Sequence, residues 1–218
     1  MKGRIQQVLT TATITAFSVA IGMVGCHQLT GRGLRQISCG DAWSRSTRAV
    51  TVVAGLIAGA VGAQAARQAG SWWYLPALLV WALTLAAAAT CDALTQRIPT
   101  PLVRQGGAVT ALLVLVAATL TGDWRGLLLA GFASAAAGLI LAACWRFADV
   151  GFGDVRLAAL GGLGLGHTSP RALLWAFVAF TLIVAAQAIW MLSRGGNRHT
   201  MFAYGPALAI GFGLAATR

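Results

Sequence analysis

Apolar residues fall in eight runs, at about 5–25, 49–66, 72–91, 103–121, 126–145, 154–168, 171–192 and 201–216, and nearly all the charge lies between them. An α-helix rises 1.5 Å per residue, so crossing about 30 Å of hydrocarbon takes roughly 17–25 such residues. Most runs meet that length; the sixth and the last are at or just under the short end. The pattern predicts an all-α, polytopic helical bundle with about eight transmembrane helices. The Gly-Gly-Leu-Gly-Leu-Gly stretch from Gly161 to Gly166 is poor helix material in water. In membrane helices glycine is more frequent, and small residues let neighbouring backbones approach.

Composition agrees. The chain is 58% hydrophobic and 10% charged, against about 25% charged in soluble domains. A formal net charge of +11 would suggest nucleic acid in a soluble protein. Here the cations sit in short loops between apolar runs, which is the topogenic pattern, so the expected partner is the lipid bilayer and not nucleic acid. One set of loops holds Arg32, Arg35, Arg45, Arg48, Arg97, Arg104, Arg146, Arg156, Arg194 and Arg198; the opposite set holds Lys2, Arg4, Arg67, Arg125, Arg171 and Arg218. The richer set should face the cytoplasm, with both termini outside, although Lys2 and Arg4 pull the other way. Val24-Gly25-Cys26 after a basic start and an apolar run also looks like a lipoprotein signal with Cys26 acylated. That reading inverts every later helix against the charge count, so the first run is taken as a membrane helix.

The organisation that follows is a single membrane-embedded domain, 1–218. Residues 1–71 form two N-terminal helices with a basic cytoplasmic loop at 26–48, and 72–218 form a six-helix core. Cys26, Cys39, Cys91 and Cys144 make no C-x-x-C pair; the first two are expected as free thiols and the others as small hydrophobes at span ends. Trp72, Trp73, Tyr74 and Trp124 cluster at span ends as an interfacial aromatic belt, while Trp81 and Trp190 lie deeper, as packing residues.

The five acidic residues are all Asp. Asp92 closes the third run and Asp154 opens the sixth, so the topology puts both at one membrane face. Ionisable groups in such positions are functional candidates. Two close carboxylates do not both ionise readily, so one serves as base and the other as acid. Sequence spacing alone favours a plainer arrangement, in which Asp92 pairs with Arg97 and Asp154 with Arg156. Asp149 is the best alternative acid; Asp41 reads as local charge balance, and Asp123 sits in a turn on the far side. His27, His167 and His199 are scattered over both faces, so no metal site is expected.

Three segments carry a family resemblance. GFGDVRLAAL resembles the GxGD signature of the type IV prepilin peptidases, polytopic membrane aspartic proteases. CDALTQRIPT resembles their partner motif, an Asp followed by Arg-Ile-Pro-Asn, and AYGPALAIG is similar to their final-helix motif. The set stands in the family's order from about residue 72 onward and outweighs the ion-pair arrangement. The resemblance implies an aspartic endopeptidase that removes the basic leader of pilin-like or pseudopilin precursors at the cytoplasmic face of a prokaryotic plasma membrane. It implies Asp92 and Asp154 as the catalytic pair, with no cofactor. Gly151 and Gly153 would shape the approach to Asp154, Arg97 and Pro99 belong to the second motif, and Gly205 and Pro206 would bend or thin the last helix near its start. Pilus or secretion assembly components would be further partners. Two positions depart: Arg156 stands where the family usually has Lys, and Thr100 where it usually has Asn. The two C-x-x-C pairs of many bacterial members are missing, so tetrathiolate zinc cannot form and a peptidase without methyltransferase activity is expected. The rival reading is a small transporter or channel using Asp92 and Asp154 as proton or cation ligands. A catalytically idle scaffold is a third.

Overall fold

The structure is a computed structural model and describes residues 2–37, 45–147, 150–166, 171–194 and 203–218. They form eight α-helices and, among the described residues, no strand. The helices are α1 (Lys2–Gln36), α2 (Arg45–Gln68), α3 (Leu75–Thr95, entered through a 3-10 turn at Trp72–Tyr74), α4 (Thr100–Thr121), α5 (Trp124–Phe147), α6 (Phe152–Leu163), α7 (Arg171–Ser193) and α8 (Tyr204–Ala216). All but α6 and α8 contain a segment long and apolar enough to cross a membrane, six in all. At 12 and 13 residues, α6 and α8 span only about 18–20 Å at 1.5 Å per residue. Among the described residues there are therefore eight helices, two of them too short to cross alone. α6 stops where Gly164–Gly166 turn away, and α8 begins at Tyr204, with Pro206 in its first turn, where a missing N–H breaks no bond. Gly205 and Pro206 thus lie in the first turn of this helix.

The basic loop expected at 26–48 is mostly helix, because α1 continues to Gln36. Its polar composition hides a stripe at helical period: Cys26, Thr30, Gly33 and Leu34 are buried on one face. Cys26 is therefore a packed helix residue with its Sγ 3.9 Å from Thr30 Oγ1. α1 and α2 meet backbone to backbone at glycines. A Cβ on Gly59 would lie 2.7 Å from Val19 Cα, a spacing only small residues allow.

α3 is the axle of the bundle, packing against α1, α2, α4, α6 and α8. Trp81, fully buried, donates its indole N–H to the Leu160 carbonyl of α6 at 2.9 Å, as expected of a packing residue. The glycine run of α6 fits the same joint: side chains on Gly161 and Gly164 would enter the Phe212 and Trp81 rings. α5 and α7 turn large apolar side chains outward, among them Leu128, Phe132, Leu174 and Leu182. Patches of that size suit hydrocarbon, not water.

Two aromatic expectations change. Trp72, Trp73 and Trp124 are exposed, but Tyr74 is 1% exposed and donates to Asp123 Oδ2 at 3.3 Å. Asp123 Oδ1 in turn accepts from the Gly126 amide at 2.9 Å, capping α5. Tyr74 is thus a buried clasp, because its hydroxyl finds this partner. Trp190 is exposed, with the Arg194 guanidinium 4.3 Å over its ring; α7 packs chiefly on α8 and leaves that face uncovered.

Candidate active site

At the end of the bundle where α3 stops and α4, α6 and α8 begin lies a cavity of about 580 Å³, lined by Asp92, Asp154, the loop from Gln96 to Pro101 and Gly151–Gly153. Gln36 at the end of α1 and Ile37 just after it wall one side, so the site draws on more than 72–218. Asp92 sits in the last turn of α3 and Asp154 in the first turn of α6, and they are 5% and 6% exposed. Both carboxylates line this one cavity.

Helix ends explain how these charges are tolerated. Asp154 is the third residue of α6, where the unpaired amides and positive end of the macrodipole favour an anion. Asp92 lies at the wrong end of its own helix, but α8 compensates. The Gly205 amide, an orphan donor in the first turn of α8, gives its hydrogen to Asp92 Oδ2 at 2.8 Å. A Cβ on Gly205 would stand 2.8 Å from the same oxygen and 3.0 Å from Asp92 Cβ, so the amide can approach only because residue 205 has no side chain. Asp154 Oδ1 is buried with no hydrogen-bond partner. Buried polar atoms are nearly always satisfied, and an exception in a polar cavity points to something that binds there.

Neither aspartate pairs with its sequence neighbour. Arg156 donates from Nη1 to Thr100 Oγ1 at 2.9 Å and lies 4.7 Å over the Phe152 ring. The two positions that depart from the resembled motifs therefore bond each other, tying the first turns of α4 and α6. Arg97 is exposed on the cavity lining, and the partner of Asp92 is the Gly205 amide instead. Pro99 caps the start of α4 after Gln96 closes α3 in the left-handed region at φ 53°. Gly153 packs on this loop, since a Cβ there would be 3.0 Å from Ile98 Cβ; one on Gly151 would be 3.1 Å from Asp154 Oδ2. Pro206 lines a different, apolar cavity of about 330 Å³ between α2, α3 and α8, which starts beside the site at Ala93.

Sequence reasoning missed Gln36, Ile37, Gln96 and Phe152. The stripe through Cys26, Thr30 and Leu34 was the available signal for α1; nothing local marks Gln96. Asp41, Asp149, Cys39, His167 and His199 lie outside the described residues. Among the described residues no group of three or more His, Cys, Asp or Glu could hold a metal ion. No family model, curated protein or solved structure matches the chain.

Proposed function

We propose that the chain is a membrane aspartic endopeptidase that cleaves the N-terminal leader of type IV pilin-like or pseudopilin precursors at the cytoplasmic face of a prokaryotic plasma membrane. One observation carries this: Asp92 and Asp154, 62 positions apart in sequence, line a single cavity at a helix end. One carboxylate takes a proton from water as its oxygen attacks the scissile carbonyl; the other, protonated, gives its proton to the departing amine as the C–N bond breaks. The pair then holds the same number of protons as before, ready for another turnover. The place suits the chemistry, because water is present at a helix end and scarce deeper in. It weighs against a carrier, whose ligands usually lie near mid-membrane between broken helices. The precursor would be the protein partner, with pilus or secretion components beyond it.

Incubation of the purified protein with a pilin-like precursor should yield a shortened product; an intact precursor after prolonged incubation overturns the reading. The pH profile of kcat/KM should be bell-shaped. At low pH both carboxyls are protonated and no base is left; at high pH both are ionised and no acid is left. A profile rising without limit toward alkaline pH would contradict a shared-proton pair. Gly205→Ala should cut kcat about tenfold or more, since its methyl group displaces the carboxylate that the 205 amide holds; misplacement by about 1 Å can cost 10²-fold. Unchanged turnover by this variant would remove Gly205 from a positioning role.

A further inference from the structure

α2 and α8 both pack against α3 and touch each other little, which leaves an apolar groove of about 330 Å³ over α3 between them. Its floor is the α3 face that carries Ala82, Ala86, Ala89 and Ala93, a spacing that stays on one side of a helix. From Ala82 to Ala93 the floor runs about 16 Å at 1.5 Å per residue. Ile57 of α2 and Ile210 and Leu214 of α8 stand at the rims, each about half exposed. Among the described residues no charged side chain lines the groove. The Thr90 and Thr217 hydroxyls donate to the Ala86 and Leu214 carbonyls at 2.7 and 3.0 Å. A ligand there is held by shape and apolar contact, and a floor of alanines lets a helix backbone come close.

The groove meets the aspartate cavity at two points. Exposed Ala93 follows Asp92, and Pro206 follows Gly205, whose amide holds Asp92. In that adjoining cavity Asp154 Oδ1 is buried without a partner, so the polar end of one continuous ligand has its place there. A phospholipid whose tail filled the groove would bring its phosphate toward two carboxyl groups, an unfavourable meeting. A polypeptide brings neutral amides instead.

Resting on the peptidase reading, we infer that this groove docks the membrane helix of the precursor, the apolar segment that follows the cut bond lying on the alanine face of α3 between α2 and α8. A whole helix, about 10 Å across, would need several times the groove's volume, so one face is held and the other is left to lipid. Selection of the substrate then rests on this helix as well as on the residues at the cut bond.

The test uses the full chain in nanodiscs with two substrates, a pilin-like precursor and a soluble peptide that spans the cut bond but lacks the apolar segment. Wild type should cleave the precursor with kcat/KM at least about tenfold above the peptide; equal values overturn the inference. Ala86→Leu, which puts a larger side chain into the groove, should raise KM for the precursor about tenfold with the change on KM and not on kcat. Leu182→Ala, on the exposed face of α7, should leave KM as it was. An unchanged KM in Ala86→Leu leaves the groove to lipid and the peptidase reading standing. Should Ala86→Leu fail to accumulate, photo-crosslinking decides. In the Asp154→Asn background a photoreactive residue at position 210 should capture the apolar segment of the precursor, and one at position 182 should not. No capture at 210, or equal capture at both, overturns the docking site. A precursor left intact by wild type sinks the peptidase reading and this inference with it.

Discussion

Asp92→Asn and Asp154→Asn should each abolish precursor processing, lowering kcat by about 10²–10⁴-fold, while both variants still accumulate in the membrane. The substitution is close to isosteric, and an asparagine oxygen at 92 can still accept the Gly205 amide hydrogen now held at 2.8 Å. What it removes is the ability to take up and release a proton. The aspartates are 5% and 6% exposed, and burying a charge costs free energy that a neutral amide does not incur. Melting temperatures should therefore hold or rise while activity vanishes. That combination separates a chemical role from a structural one; an ion-pair role predicts the reverse, with stability lost on removing the charge. Wild-type processing by either variant would exclude that residue from the catalytic pair.

The second large effect is on folding. Gly162→Ala should destabilise the protein by about 1–3 kcal/mol, the usual cost of overpacking, and lower its melting temperature by several degrees. The added methyl group would run into the Ala133 carbonyl and stand 2.8 Å from Ser134 Cα. Both are backbone, so no rotamer change relieves the clash and α5 must move from α6. The Ser134 hydroxyl, bonded to the Ala159 carbonyl at 2.8 Å, holds the two helices at that spacing. Gly107→Ala is the control. Its nearest neighbour would be Leu160 Cδ1 at 3.9 Å, so it should be neutral or slightly stabilising, as Ala is favoured over Gly inside helices. Thermal unfolding in detergent reads both; equal melting of the Gly162→Ala variant and wild type would refute tight α5–α6 packing.

The resemblance to a leader peptidase singled out both aspartates and Gly205 from short stretches of sequence. How those stretches cooperate was not visible there. Thr100, for instance, looked like a lost amide, yet it accepts the Arg156 guanidinium from a helix 56 positions away.

From residue order alone followed the all-helical bundle, its apolar runs and the location of Asp92 and Asp154 at the ends of two of them. These follow because hydrocarbon leaves the backbone few options: each run must satisfy its own N–H and C=O groups, and run length is set by bilayer thickness. Other features were decided only by packing. α1 continues past its apolar run because Cys26, Thr30 and Leu34 find a buried face against the bundle, and polar neighbours obscure that stripe in sequence. α6 sits among α3, α5 and α8 because its glycines admit the Trp81 ring, the Ala133 backbone and the Phe212 ring. Asp92 is held by an amide of α8, a partner 113 positions along the chain. Such choices depend on which surfaces meet in three dimensions, and hydropathy along one strand of sequence carries no record of that.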